Sequence, residues 1–182
     1  MPYVPPPELA TLSLTQIAAL AEARKLPLVE QWAPGRVGDS KMRITADGTW
    51  LHDGSPITRP AMVRAFSALL SRDVDGQHWL VTPHEKLAIA VEDAAFVAVD
   101  AVRSGAGIAF RLNTDDLVVA GPDNRLRAAG DADTPALYLA VRRGCEARLN
   151  RSTYGQLAEI ALAEGDDWTV ASLGHRFELI PA

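Results

Sequence analysis

The sequence predicts an α+β fold in two small halves, built mostly from antiparallel sheet, with a helix near the N-terminus. Between Gly76 and Asp100 apolar side chains recur at every second residue, the period of a strand with one buried face. Helical spacing is confined to a few short stretches. One order of elements (strand, turn, strand, helix) occurs twice. The organisation expected is an arm and helix over residues 1–37, an N-terminal α+β domain over 38–92 and a C-terminal α+β domain over 93–182.

Met1 to Pro7 is proline-rich and reads as a loose arm. Ser13 to Lys25 reads as a helix: Ser13 and Gln16 have capping-box spacing, Leu12 and Ile17 staple spacing, and Leu26-Pro27 ends it. Leu28 to Asp39, with Trp32, is a packed connector. Met42 to Leu51 reads as two short strands about the tight turn Asp47-Gly48, and a second turn follows at Asp53-Gly54. Thr58 is placed to cap a helix with Pro60 in its first turn, Val63, Phe66, Leu69 and Leu70 on its apolar face, and an end near Arg72. Asp75-Gly76 turns into the strand His78–Val81.

After Pro83, Leu87, Ile89 and Val91 share one parity. Glu85 falls on the same parity, as a strand end reaching water or as a polar group at a pocket rim. Glu92 to Ala95 is a turn or a domain junction. Phe96 to Val102 is a strand with Val97, Val99 and Ala101 on one face. Ile108 to Leu112 and Leu117 to Ala120 are strands, closed by the turn Gly121 to Asn124. Arg125 to Pro135 reads as a loop. Leu137 to Val141 and Cys145 to Leu149 are strands about Gly144. Arg151 to Ala163 is a helix capped by Asn150 or Ser152, and Trp168 to Ser172 and Arg176 to Ile180 are the last strands.

The repeat aligns Asp53-Gly54, Arg59 and a helix, then Asp75-Gly76 and Trp79, with Arg143-Gly144, Arg151 and a helix, then Gly165-Asp166-Asp167 and Trp168. A duplicated chain has a crevice between its halves, and crevices of that kind hold ligands.

Composition narrows the function classes. A net charge of −5 with scattered arginines argues against nucleic acid as a partner. The single cysteine, Cys145, excludes an internal disulfide and fits a reducing cytoplasm. No signal peptide and no apolar run of membrane-spanning length is visible, so a cytoplasmic protein is expected. His52, His78, His84 and His175 lack metal-ligand spacing, and Cys145 lies on the parity of a core residue. No phosphate-binding loop, dinucleotide fingerprint or nucleophile elbow is present. No catalytic set, cofactor or metal is therefore expected.

What remains is a polar set near the predicted junctions: Asp39, Arg43, Arg59, Glu85, Lys86 and Asn113, with Trp50 and Thr82 beside it. Arg43, Arg59 and Lys86 suit a phosphate or carboxylate, and Trp50 or Trp79 a stacked base. Each also has an ordinary structural role: Arg43 pairing with Asp39 or Asp47, Arg59 at a helix start, the tryptophans in a core. Three functions fit. The first is a ligand-binding or sensor protein. The second is a protein–protein adaptor using the C-terminal half. The third is an enzyme on a small phosphorylated substrate, with Glu85 as general base.

Several pieces together resemble a bacterial family known as domain of unknown function 1285. They are Gly38-Asp39, Met42-Arg43-Ile44, Asp47-Gly48-Thr49-Trp50, Gly54-Ser55-Pro56-Ile57 with Arg59, Phe66-Ser67, Leu80-Val81-Thr82-Pro83 with Glu85-Lys86, and Val91-Glu92-Asp93-Ala94 with Phe96. The likeness runs from about Trp32 to the C-terminus and thins after Asn113; Ala95 stands where the family has proline. It implies two α+β halves with repeated motifs and a C-terminal half superficially like pleckstrin-homology β structures. It also implies a nucleotide-like ligand at the interface and a role in signalling, with no assigned reaction.

Overall fold

The computed structural model describes residues 4–5, 7–165 and 168–182; part of the expected N-terminal arm, and Asp166 and Asp167 of the repeat, lie outside them. A single 3₁₀ turn at Leu9–Thr11 precedes α1 (Leu14–Ala23). Ser13 and Gln16 form the full capping box: the Ser13 hydroxyl accepts from Gln16 N–H, and the Gln16 side chain accepts from Ser13 N–H at 2.8 Å. Leu9 and Ile17 bury against Ala109 and Leu117, with Leu12 packed alongside.

Next come β1 (Arg36–Ile44), β2 (Trp50–His52), β3 (Ser55–Pro56), α2 (Pro60–Ser67), β4 (Leu70–Arg72), β5 (His78–Val81) and β6 (Glu85–Val91). They form a six-stranded sheet in the order β3-β2-β1-β6-β5-β4. β1 and β6 run parallel and every other neighbour pair is antiparallel.

The second half supplies β7 (Phe96–Ser104), β8 (Gly107–Leu112), β9 (Leu117–Val119), β10 (Leu126–Gly130), β11 (Pro135–Arg142) and β12 (Cys145–Leu149). Read from its far edge, this sheet has the order β9-β8-β7-β12-β11-β10, again with its first and last strands parallel at the centre. Then follow α3 (Arg151–Ala163) and the hairpin β13 (Thr169–Ser172) and β14 (His175–Glu178).

The two sheets thus share one strand order, but the helices are placed differently. α2 joins the two meanders of the first sheet, whereas α3 follows the completed second sheet. The likeness between the Asp53-Gly54 and Arg143-Gly144 segments is local, and the sheet-level correspondence matches β1–β6 with β7–β12. The inner faces of both sheets meet in one core, including Ile44, Trp50, Ile89, Phe96, Phe110 and Leu139.

Four sequence expectations are corrected. β1 starts at Arg36 rather than Met42, because its first residues pair with β6 before a bulge with Lys41 at φ 58. α2 ends at Ser67 rather than near Arg72, since Leu70 leaves the helical face to pair with Leu80; its N-cap is Arg59, not Thr58, and makes no side-chain cap. The expected loop from Arg125 to Pro135 contains β10, whose small residues form a strand only through pairing with β11. In β7 the pairing shifts between Ala98 and Asp100, so Ala101 turns to the core instead of following Val97 and Val99.

A buried carboxylate links the layers. Asp116, 4% exposed, receives Arg24 Nε from the C-cap of α1 at 2.9 Å, Arg142 Nη2 from β11 at 3.5 Å and Arg64 Nη1 from α2 at 3.9 Å. The Thr114 hydroxyl donates to it at 2.6 Å. Burial pushes the Asp116 carboxyl up, but the Arg142 charge, the Thr114 hydroxyl and Arg24 outweigh it and hold it below its ordinary value of 3.8. This contribution to stability is therefore complete above the unfolded value and is lost as pH falls through the lower folded value.

Asp116→Ala leaves partly buried guanidinium groups without their counter-charge and is expected to lower unfolding stability by about 3 kcal/mol, read from the urea midpoint. In the wild type, the urea midpoint should fall as pH is lowered below 3.8, and Asp116→Asn should flatten that part of the profile.

Candidate ligand site at the seam between the halves

The turn between β1 and β2 projects from the first half onto the second. Thr45 and Asp47 lock it: the Thr45 hydroxyl bonds the Asp47 carboxylate, which also accepts Thr49 N–H at 3.1 Å. Gly48 sits at φ +89, where a Cβ would lie 2.8 Å from Val97 Cγ2 and 2.9 Å from Asn113 Nδ2. Only glycine lets the two halves approach this closely. Asn113 completes the contact. Its side-chain oxygen accepts Val97 N–H at 3.0 Å, its backbone N–H donates to the Val97 carbonyl at 2.8 Å, and its amide reaches the Gly48 carbonyl at 3.5 Å.

Two cavities flank this contact and share Asp47 and Asn113 as a common wall. The smaller, of about 330 Å³, lies over the start of α2, between Trp50, Thr58, Pro60 and the β8–β9 turn. The larger, of about 590 Å³, opens over β7 at the start of α3, with Val97, Val99, Arg148, Asn150, Arg151 and Tyr154 around it. The N-terminal turns of both helices therefore border one seam, and helix N-termini carry partial positive charge. Asn150 caps α3 by accepting Thr153 N–H at 2.8 Å. The side chains of Arg59, the N-cap of α2, and Arg151, the first residue of α3, are exposed and make no hydrogen bond or ion pair among the described residues.

Arg148 is held from the side. Its Nη1 lies 2.9 Å from Asp93 and 3.5 Å from the Tyr138 hydroxyl, which itself donates to Asp93 at 2.6 Å. Burial and the Asp93 bond push the Tyr138 hydroxyl above the ordinary tyrosine range, so it stays a donor. Asp93 lies in the link between β6 and β7, so one wall of the larger cavity is tied to the passage between the halves.

The expected site residues are distributed over several places. Trp50 and Asn113 line the seam; Arg59 does not, although Thr58 and Pro60 on either side of it line the smaller cavity. Trp50 is 1% exposed and stacks on Phe66 with ring centroids 6.4 Å apart, so its faces serve the core. Asp39 and Arg43 line a separate open concavity of about 530 Å³ on the outer face of the first sheet. There the Lys41 backbone N–H holds the Asp39 carboxyl below its ordinary range, and Arg43 lies 3.4 Å from Glu92. Lys86 Nζ caps the Trp79 ring at 4.1 Å. The Thr82 hydroxyl serves the local turn, accepting Glu85 N–H at 3.1 Å. Glu85, with 35% of its side chain exposed at the strand end, lies 3.9 Å from Arg36 and does not line the seam.

Sequence reasoning did not single out Arg148, Asn150 and Tyr154 as ligand residues; the usable signal was the repeat, which marked Arg151 beside a helix start. Cys145 is buried, and burial pushes its thiol up to about 11, which leaves it protonated and inert at neutral pH. Burial also lowers the His78 imidazole below its ordinary range. Among the described residues no group of three or more His, Cys, Asp or Glu is placed to hold a metal, and no helix is long and apolar enough to cross a membrane.

Two family models match in succession. Residues 27–94 match the N-terminal domain described as a domain of unknown function, DUF1285, and residues 95–179 match the C-terminal domain of the same family. The chain belongs to the DUF1285 family. It is similar to a solved DUF1285 protein from Silicibacter pomeroyi DSS-3, with 37% identity, a TM-score of 0.75, and 91% of this chain and 95% of that one covered. A DUF1285 protein from Shewanella baltica OS155 shares the fold at 24% identity and a TM-score of 0.54, over 65% of this chain and 90% of that one. No curated protein matches the chain. The passage from one DUF1285 domain model to the other, between Ala94 and Ala95, falls in the link that carries Asp93.

Gly48→Ala is expected to lower stability by about 1–3 kcal/mol, through strain at positive φ and the clash with Val97 and Asn113. The drop should appear as a lower urea midpoint.

Proposed function

We propose that this DUF1285 protein is a ligand-binding protein of the sensor type, holding an anionic small molecule in the seam between its halves. The observation that carries this reading is the convergence of two helix N-termini on one seam, with Arg151 in the lining of the larger cavity and Arg59 next to the lining of the smaller, both without a partner among the described residues. On a chain of net charge −5, such a place concentrates positive potential where both halves touch whatever occupies it. The nucleotide-like ligand and the signalling role that the family resemblance implies are the finer form of this proposal. Binding in the seam engages Arg148, and through it Asp93 and the link between the halves, which gives a bound anion a route to their relative position. Glu85, the expected general base, lies outside the seam, and Asp47 is engaged by the Thr45 turn.

Thermal melts against nucleotides, sugar phosphates and phospholipid headgroups test the proposal. A ligand at 100 times its dissociation constant adds about 2.7 kcal/mol, enough to raise the midpoint by several degrees. The rise should vanish in the double variant Arg59→Ala, Arg151→Ala, whose unliganded midpoint should stay at the wild-type value. A rise that survives the double variant removes the seam from the function.

A further inference from the structure

The lining of the larger cavity divides its polar and apolar parts, and that division says what kind of anion fits. Val97 and Val99, two residues apart on β7, face it together, and Pro135, Ala136 and Leu149 extend the same apolar floor. Val99 is left 39% exposed there, at the point where the β7–β8 pairing shifts between Ala98 and Asp100. The polar groups around this floor are mostly committed. Asn113 spends its side-chain oxygen on Val97 and its amide on Gly48; Asn150 caps Thr153; the Asp47 carboxylate serves its own turn; and the Tyr154 hydroxyl donates to the Leu179 carbonyl at 2.9 Å. A nucleobase needs donors and acceptors along its edge and an open aromatic face. Here Asn113 and the Tyr154 hydroxyl are taken, and Trp50 is sealed in the core. What stays available is a guanidinium at one side, Arg151, seconded by Arg148, and hydrocarbon elsewhere.

We infer that the ligand of this cavity is an amphipathic anion: a single carboxylate or phosphate head held at Arg151, the start of α3 and Arg148, with an alkyl or aryl body laid over Val97 and Val99. The inference rests on the seam reading above and narrows its ligand class. A volume of about 590 Å³ lies within the range of cavities that enclose a small organic molecule, and it far exceeds what a bare anion needs. The division of labour is an ordinary one, with charge fixing orientation and buried apolar area supplying affinity.

The test is titration calorimetry of the full chain with methyl, butyl and octyl phosphate, alongside inorganic phosphate and adenosine 5′-monophosphate. Burial of each added methylene should tighten binding about three- to fourfold until the cavity is filled. Octyl phosphate should therefore bind at least a hundredfold tighter than methyl phosphate, with the nucleotide near the methyl end. Val99→Asp, at a half-open position that tolerates a polar group, should abolish the dependence on chain length. Arg151→Gln should weaken the whole series by a common factor.

If all the phosphates bind equally and still need Arg151, the amphipathic class is wrong while the seam site stands. Tighter binding of the nucleotide than of octyl phosphate overturns the class in favour of a base-bearing ligand. No binding to the wild type by any of them overturns both the class and the seam. Free amphiphiles and bilayer lipids share this chemistry. Val99-dependent co-sedimentation with phosphatidylcholine vesicles containing phosphatidic acid assigns the source to a bilayer, and retention in the supernatant assigns it to free amphiphiles.

Discussion

The fold depends on one carboxylate set among three guanidinium groups. Asp116 sits beside the edge strand of the second sheet, and the arginines it gathers come from α1, α2 and β11. A buried charge pair is weak evidence of net stabilisation but strong evidence of position, because a displaced arginine would be left without compensation in a place water reaches poorly. Arg142 carries the constraint furthest. It also lies over the Phe96 ring, 4.9 Å from the centroid, and donates to the Ser67 carbonyl at 3.2 Å, so the end of α2 and the start of the second sheet are set against each other. Arg143 repeats the tactic next door, donating to the carbonyls of Pro27 and Ala68 at 2.8 Å each.

The Asp116 cluster adjoins the seam, because Thr114, which donates to Asp116, also lines the smaller cavity. The Gly48 turn, Asn113 and the N-terminal turns of α2 and α3 meet there in fixed relation, and the cavities follow from how these backbones approach. Arg148 and Asp93 tie the wall of the larger cavity to the link between the halves.

Much of this was legible in the sequence where local rules act alone. The capping box at Ser13 and Gln16, the Asp47-Gly48 and Asp53-Gly54 turns, and α3 from Arg151 to Ala163 all follow from short-range signals. The misreadings arise where pairing overrides propensity. Leu70 has helical spacing but joins a strand, and Leu126 to Gly130 has little strand propensity but is held by β11. The site was less legible than the fold. Asn113, Trp50 and Arg59 lie at or beside the seam, close to turns and a helix start that the sequence marks. Asp39, Arg43, Thr82, Glu85 and Lys86 lie elsewhere, because position near a boundary in sequence does not say which face of a sheet a residue occupies. Arg148 and Tyr154 carried no local signal, since their place at the cavity depends on how β12 and α3 meet the other half.

The central parallel pairs have a consequence for how this chain is made. In each sheet the first strand and the last strand are partners, β1 with β6 and β7 with β12, and all the other strands hang outward from them. A ribosome releases these partners at opposite ends of a half, so the most interior pairing is the last that synthesis permits. Until β6 emerges, β1 presents an unsatisfied backbone edge, and the same holds for β7 until β12 is complete. The nascent chain is thus twice exposed to mispairing, once per half, and each exposure closes in a single step when the final strand arrives.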